Sequence, residues 1–108
     1  MKIKKQTPES KVLNAIGEYL TMKGYLFWRS NNIPVFDPVG KFFRAMPKYS
    51  RKGVSDFLML HKGTMYFIEA KANTKLSEHQ KQFRDDVVDN GGQYILATSE
   101  IDLIKSGL

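Results

Sequence analysis

An α/β fold with the element order α-β-β-β-α-β is what this sequence predicts, and three observations predict it. Apolar residues recur at helical spacing in two stretches, near 8–23 and 77–90. Two runs rich in apolar and β-branched residues flank the dipeptide Lys62-Gly63, as the arms of a hairpin do. Glycines stand where each helix has to end, at Gly24 and at Gly91-Gly92. With 108 residues there is room for one compact domain, taken as 1–108.

The elements follow in order. Thr7-Pro8-Glu9 is a helix start, with Thr as N-cap, Pro at the first helical position and an acid in the first turn. Val12, Leu13, Ile16 and Leu20 then form one apolar stripe up to Gly24. Tyr25 to Arg29 is aromatic-rich and reads as a strand. From Asn31 to Lys52 the periodicity dissolves into a long loop, in which Phe42-Phe43 is placed either as a short strand or against the core. Val54–His61 and Thr64–Lys71 read as the two hairpin strands. After a linker at 72–76, Ser77 to Asn90 is a second helix carrying Gln80, Phe83 and Val87 on one face. Gln93–Ala97 is a short strand, and 99–106 a final turn or two of helix.

Composition narrows the chemistry. There is no cysteine, which excludes disulfides, thiolate metal sites and cysteine nucleophiles. His61 and His79 lack the spacing of a metal pair, and no nucleophile elbow or phosphate-cradling glycine loop occurs. No apolar run approaches the length of a membrane span, so the reading is a cytoplasmic protein without a membrane partner. Seventeen Lys+Arg against eleven Asp+Glu leave a net charge of +6. A surplus of that size suits a polyanion such as nucleic acid, although a plain basic protein would show it too.

Asp56 and Glu69-Ala70-Lys71 carry the sharpest signal. On a strand, residues i and i+2 share a face about 6.5 Å apart, so Glu69 and Lys71 point the same way. A second Glu-x-Lys, Glu9-Ser10-Lys11, lies on a helix, where i and i+2 diverge. A turn at Lys62-Gly63 pairs His61 with Thr64, Leu58 with Phe67 and Asp56 with Glu69. Opposed residues have Cβ atoms about 5 Å apart, and like charges so placed destabilise a sheet unless something offsets them. A hard divalent cation would, with the Ala70 carbonyl as a further oxygen ligand. Such a cation suits phosphodiester hydrolysis, with Lys71 beside the attacking water or the developing charge. The alternative reading is structural: Asp56 ends a turn, and Glu69 with Lys71 forms a surface ion pair.

Two more polar residues lie on apolar stripes. Glu9 aligns with Leu13, Ile16 and Leu20, and Gln80 with Phe83 and Val87. Either can face the carboxylates. Each also has a local explanation, the helix dipole for Glu9 and a Ser77-x-x-Gln80 capping box for Gln80. Arg44, Lys48, Arg51 and Lys52 of the long loop are candidates for contact with a nucleic-acid backbone.

Taken together, Gly53-Val54-Ser55-Asp56, Ile68-Glu69-Ala70-Lys71, Leu76-Ser77-x-x-Gln80 and the Gly-Gly before the last strand resemble the PD-(D/E)xK nucleases. More narrowly they resemble the virus-type replication–repair nuclease (VRR-NUC) domain. The leading Glu9 fits as well, so the likeness runs from Glu9 to about Ala97, with Ser55 where the family has proline. The resemblance implies a restriction-endonuclease-like core, a central mixed sheet flanked by helices. It implies dependence on Mg²⁺ or Mn²⁺, with Asp56, Glu69 and the Ala70 carbonyl as ligands, Lys71 as catalytic lysine, and Glu9 and Gln80 as supporting residues. It further implies a homodimer that cuts branched DNA such as four-way (Holliday) junctions, in a bacterial or phage-infected cell. Competing readings are a non-catalytic basic nucleic-acid-binding module, a nuclease preferring flaps, single strands or RNA, and a small assembly protein without affinity for DNA.

Overall fold

The computed structural model describes residues 6–30, 36–37, 39–40, 42–43 and 48–108. Helix α1 spans Pro8–Lys23 and is bounded as its sequence predicts. The Thr7 hydroxyl accepts from the Ser10 N–H at 3.1 Å, and Gly24 closes the helix in the left-handed region. Strand β1 is Leu26–Arg29. Phe36–Asp37 (β2) and Phe42–Phe43 (β3) pair as a separate antiparallel ribbon, so the Phe-Phe pair is a strand. Strands β4, Phe57–His61, and β5, Thr64–Ala70, form the hairpin. Helix α2 is Glu78–Asp89, β6 is Gln93–Ala97 and α3 is Glu100–Lys105.

The main sheet has the order β1-β4-β5-β6. β1 and β5 lie antiparallel to β4, while β6 runs parallel to β5, so the sheet is mixed. A parallel neighbour cannot be reached by a tight turn, and α2 supplies the crossover from β5 to β6. The result is an α/β domain with flanking helices, compatible with a restriction-endonuclease-like core.

The hairpin register is the predicted one. His61 pairs with Thr64, Leu58 with Phe67, and the last rung is Phe57 with Ile68. Lys62 and Gly63 both take positive φ, 49° and 82°, which matches the right-handed twist of the strands. Alternation then splits the sheet into two faces. Phe57, Met59, Ile68, Ala70 and Ala97 are buried with Ile16 and Leu20 of α1 and Leu103 of α3. On the other face α2 sets Phe83 edge-on to Phe67 at 5.4 Å and to Tyr94 at 6.3 Å between ring centroids.

One boundary differs from expectation. The first hairpin strand begins at Phe57, not Val54, and residues 54–56 lie outside the ladder. Side chains take over the main-chain bonds there. The Ser55 hydroxyl, fully buried, donates to the Phe57 carbonyl at 3.1 Å, and the Asp56 carboxylate accepts from the Ala70 N–H at 2.8 Å. Among the described residues, no helix is long and apolar enough to cross a membrane.

Candidate active site

Asp56 stands where β4 begins and β5 ends. The Lys71 N–H bonds to the Ala97 carbonyl on the β6 side, so the Ala70 N–H faces β4, where the Asp56 carboxylate takes it. A strand residue directs its N–H and C=O to the same edge, so the Ala70 carbonyl faces Asp56 as well. Continuing the hairpin register by one rung puts Asp56 opposite Glu69. The turn before Asp56 is fixed from both sides. Ser30, just past β1, donates its N–H to the Asp56 carbonyl at 2.9 Å and its hydroxyl to the Ser55 carbonyl at 2.7 Å.

Gly53 brings this turn against α2. Its φ is +81°, and a Cβ there would lie 2.4 Å from the His79 carbonyl carbon and oxygen and 2.7 Å from the Gln80 nitrogen. Only glycine allows that approach, which sets the first turn of α2 beside the carboxylates.

Gln80 uses both ends of its amide. Its Oε1 accepts from the Ser77 N–H at 2.9 Å, while Ser77 Oγ accepts from the Gln80 N–H at 3.2 Å, completing the capping box. Its Nε2 donates to Glu69 Oε1 at 3.0 Å. The two explanations that the sequence left open are both true of this side chain, and the cap fixes which end of the amide faces Glu69.

Glu69 is 3% exposed. Its second oxygen, Oε2, is buried without a hydrogen-bond partner among the described residues. Burial and then the charge of Asp56 push its carboxyl up to about 8, against the pull of the Lys71 ammonium. Asp56 is raised too, chiefly by burial, while the Ala70 N–H and the Arg29 guanidinium act to lower it. Two carboxyl groups this close do not both ionise readily, and Glu69 is raised for that reason as well as by burial.

Lys71 reaches across to α1, its Nζ 3.6 Å from Glu9 Oε1. Glu9 also acts on Asp56 through its charge. The five side chains singled out in the sequence, Glu9, Asp56, Glu69, Lys71 and Gln80, are therefore brought to one end of the sheet by α1, the hairpin and α2.

An orphaned carboxylate oxygen, a second carboxylate within reach and a main-chain carbonyl are the donors a hard divalent cation takes. Asp56, Glu69 and Ala70 would hold it. Among the described residues no cluster of three or more acidic or histidine side chains forms a fuller cage, so the remaining positions would fall to water or substrate.

Two basic residues of the long loop have partners within the fold. Arg51 forms an ion pair with Asp86 of α2 at 2.9 Å and lies 5.2 Å over the Phe83 ring, which ties it to the fold. Lys48 sits 5.1 Å over Tyr49, and Lys52 is exposed. Arg44 lies outside the described residues.

Sequence reasoning missed two residues near the carboxylates. Arg29 ends β1 and reaches Asp56 through its charge; the β1–β4 pairing of Arg29 with Phe57 is what brings it there. Tyr94 on β6 has a buried hydroxyl without a partner among the described residues, and the charges of Glu69 and Asp56 both bear on it. No protein-family model matches the chain, and no curated protein matches it.

Proposed function

We propose that this chain is a divalent-cation-dependent endonuclease that hydrolyses phosphodiester bonds in DNA. One observation carries the reading: the paired carboxyls of Asp56 and Glu69, beside Lys71, with Gln80 holding one Glu69 oxygen and the other buried without a hydrogen-bond partner among the described residues. A structural ion pair explains Lys71, but it does not explain a buried acid set against a second acid.

Bound between Asp56, Glu69 and the Ala70 carbonyl, Mg²⁺ or Mn²⁺ would polarise a phosphoryl oxygen and acidify water. The protein side chains do the rest. Gln80 fixes the plane of the Glu69 carboxylate. Lys71 presents an ammonium at the same end of the sheet, placed to orient water or to neutralise charge on the phosphoryl group. Glu9 restrains that ammonium from α1.

The net charge of +6 suits a polyanionic substrate. Branched DNA and a homodimer with two symmetric sites complete the proposal, and these rest on the VRR-NUC resemblance. The test is cleavage of a synthetic four-way junction with Mg²⁺, comparing the wild type with Asp56→Asn and Glu69→Gln. Cleavage that needs the cation and fails in both variants supports the proposal. Variants that cut as well as wild type overturn the site, and metal-independent binding without any product makes the chain a binding module.

A further inference from the structure

The carboxylate pair is flanked by cations on two sides. Lys71 bears on Glu69, and Arg29 bears on Asp56. The two cations are held differently. Lys71 is mostly buried and tied to Glu9. Arg29 is exposed, and its side chain forms no hydrogen bond or ion pair among the described residues.

Other cations along the α2 side are engaged: Arg51 with Asp86, Arg84 with Asp85 and Lys81 with Glu78. Arg29 has no side-chain partner among the described residues at its tip, yet it is fixed at its root. Its main chain is paired with Phe57, and the next residue is bonded twice to the Asp56 turn. A rigid strand end thus places an exposed arginine beside the Asp56 turn, its side chain on the α1 side of the sheet with Phe27 and Phe57. A guanidinium so placed can grip a phosphate with two parallel N–H donors.

We propose that Arg29 binds the DNA backbone phosphate next to the scissile one, on the Asp56 side of the site. This rests on the nuclease reading above. Lys71 and Arg29 then mark two points on the path of the strand, one at each carboxylate. The contact is to backbone alone, so it positions the substrate without reading sequence.

The test uses a junction carrying one neutral methylphosphonate at each linkage in turn around the cut, with wild type, Arg29→Gln and Arg29→Lys. With unmodified DNA, Arg29→Gln is expected to raise KM about tenfold while kcat stays within about threefold, since one charged double hydrogen bond is lost. Arg29→Lys recovers only part, because an ammonium keeps the charge but lacks the planar fork of parallel N–H donors. At one flanking linkage the methylphosphonate should weaken wild type and leave Arg29→Gln no worse.

In EDTA, where no cleavage takes place, binding measured by fluorescence anisotropy should show a salt slope lower by about one in Arg29→Gln. Unchanged KM and salt slope, or a methylphosphonate loss that is the same with and without Arg29 at every linkage, overturns the contact. Failure of the nuclease reading shows elsewhere, as the lack of any cation-dependent product from wild type, while the EDTA binding still reads Arg29.

Discussion

Gln80 holds Glu69 at 3.0 Å with one end of its amide while the other end caps its own helix at 2.9 Å. Helix geometry and carboxylate geometry are therefore linked through a single side chain. Gln80→Glu separates the two roles. A glutamate at this position still accepts from the Ser77 N–H, so the cap survives. It cannot donate to Glu69, and it adds a third acid. Cleavage and Mn²⁺ affinity should fall about 10–100-fold with the helical circular dichroism unchanged. Gln80→Ala should lose the cap as well, at about 1 kcal/mol in denaturant unfolding.

Stability should depend on pH with an unusual sign. Glu69 is an acid of ordinary value 4.5 raised to about 8 in the folded protein. The native state keeps a proton that the unfolded chain releases, so this group stabilises most below about 4.5 and loses its contribution as pH rises through about 8. Asp56 is raised and acts in the same sense, whereas Asp86 and Asp102 are lowered and matter only in acid. In EDTA the Tm should be higher at pH 6 than at pH 8.5 by at least roughly 4 °C. Because a cation takes the place of the proton, Mg²⁺ should raise Tm more at pH 8.5 than at pH 6. Thermal unfolding with and without the ion checks both.

Gly53→Ala should cost about 2 kcal/mol or more, since the new methyl meets main chain and φ is +81°. The relief available is to move the Asp56 turn off α2. Cleavage should then fall by more than the lost stability explains, measured well below the new Tm.

Tyr94→Phe should be neutral or stabilising. The hydroxyl is buried with no partner among the described residues, and leaving such a group unsatisfied costs about 1–3 kcal/mol. Its titration lies far above the ordinary tyrosine range because of burial and the nearby carboxylates. A Tm raised by a few degrees in the variant bears this out.

Local signals in the sequence account for much of the structure. Thr7-Pro8, Gly24 and Ser77-x-x-Gln80 act within one helical turn, and they set the helix ends where expected. Lys62-Gly63 sets the hairpin register through turn geometry, and with it the approach of Asp56 to Glu69. Arg29 escaped notice because its pairing with Phe57 joins strands far apart in the chain, a contact no local pattern encodes. Asp56 was taken for a strand residue because a carboxylate that replaces a main-chain acceptor leaves no trace in hydrophobic periodicity. The ion pair of Arg51 with Asp86 was not legible either, because its partner stands on a helix that the loop's own neighbourhood does not reveal.

Glu9 lies two residues past the cap of α1, in the turn where a helix opens most readily. Asp56, Glu69, Lys71 and Gln80 belong to the hairpin and the helix that follows it. Breathing of the first turn of α1 would therefore unclasp the lysine and leave the acidic couple assembled, which gives the two halves of the centre separate lifetimes.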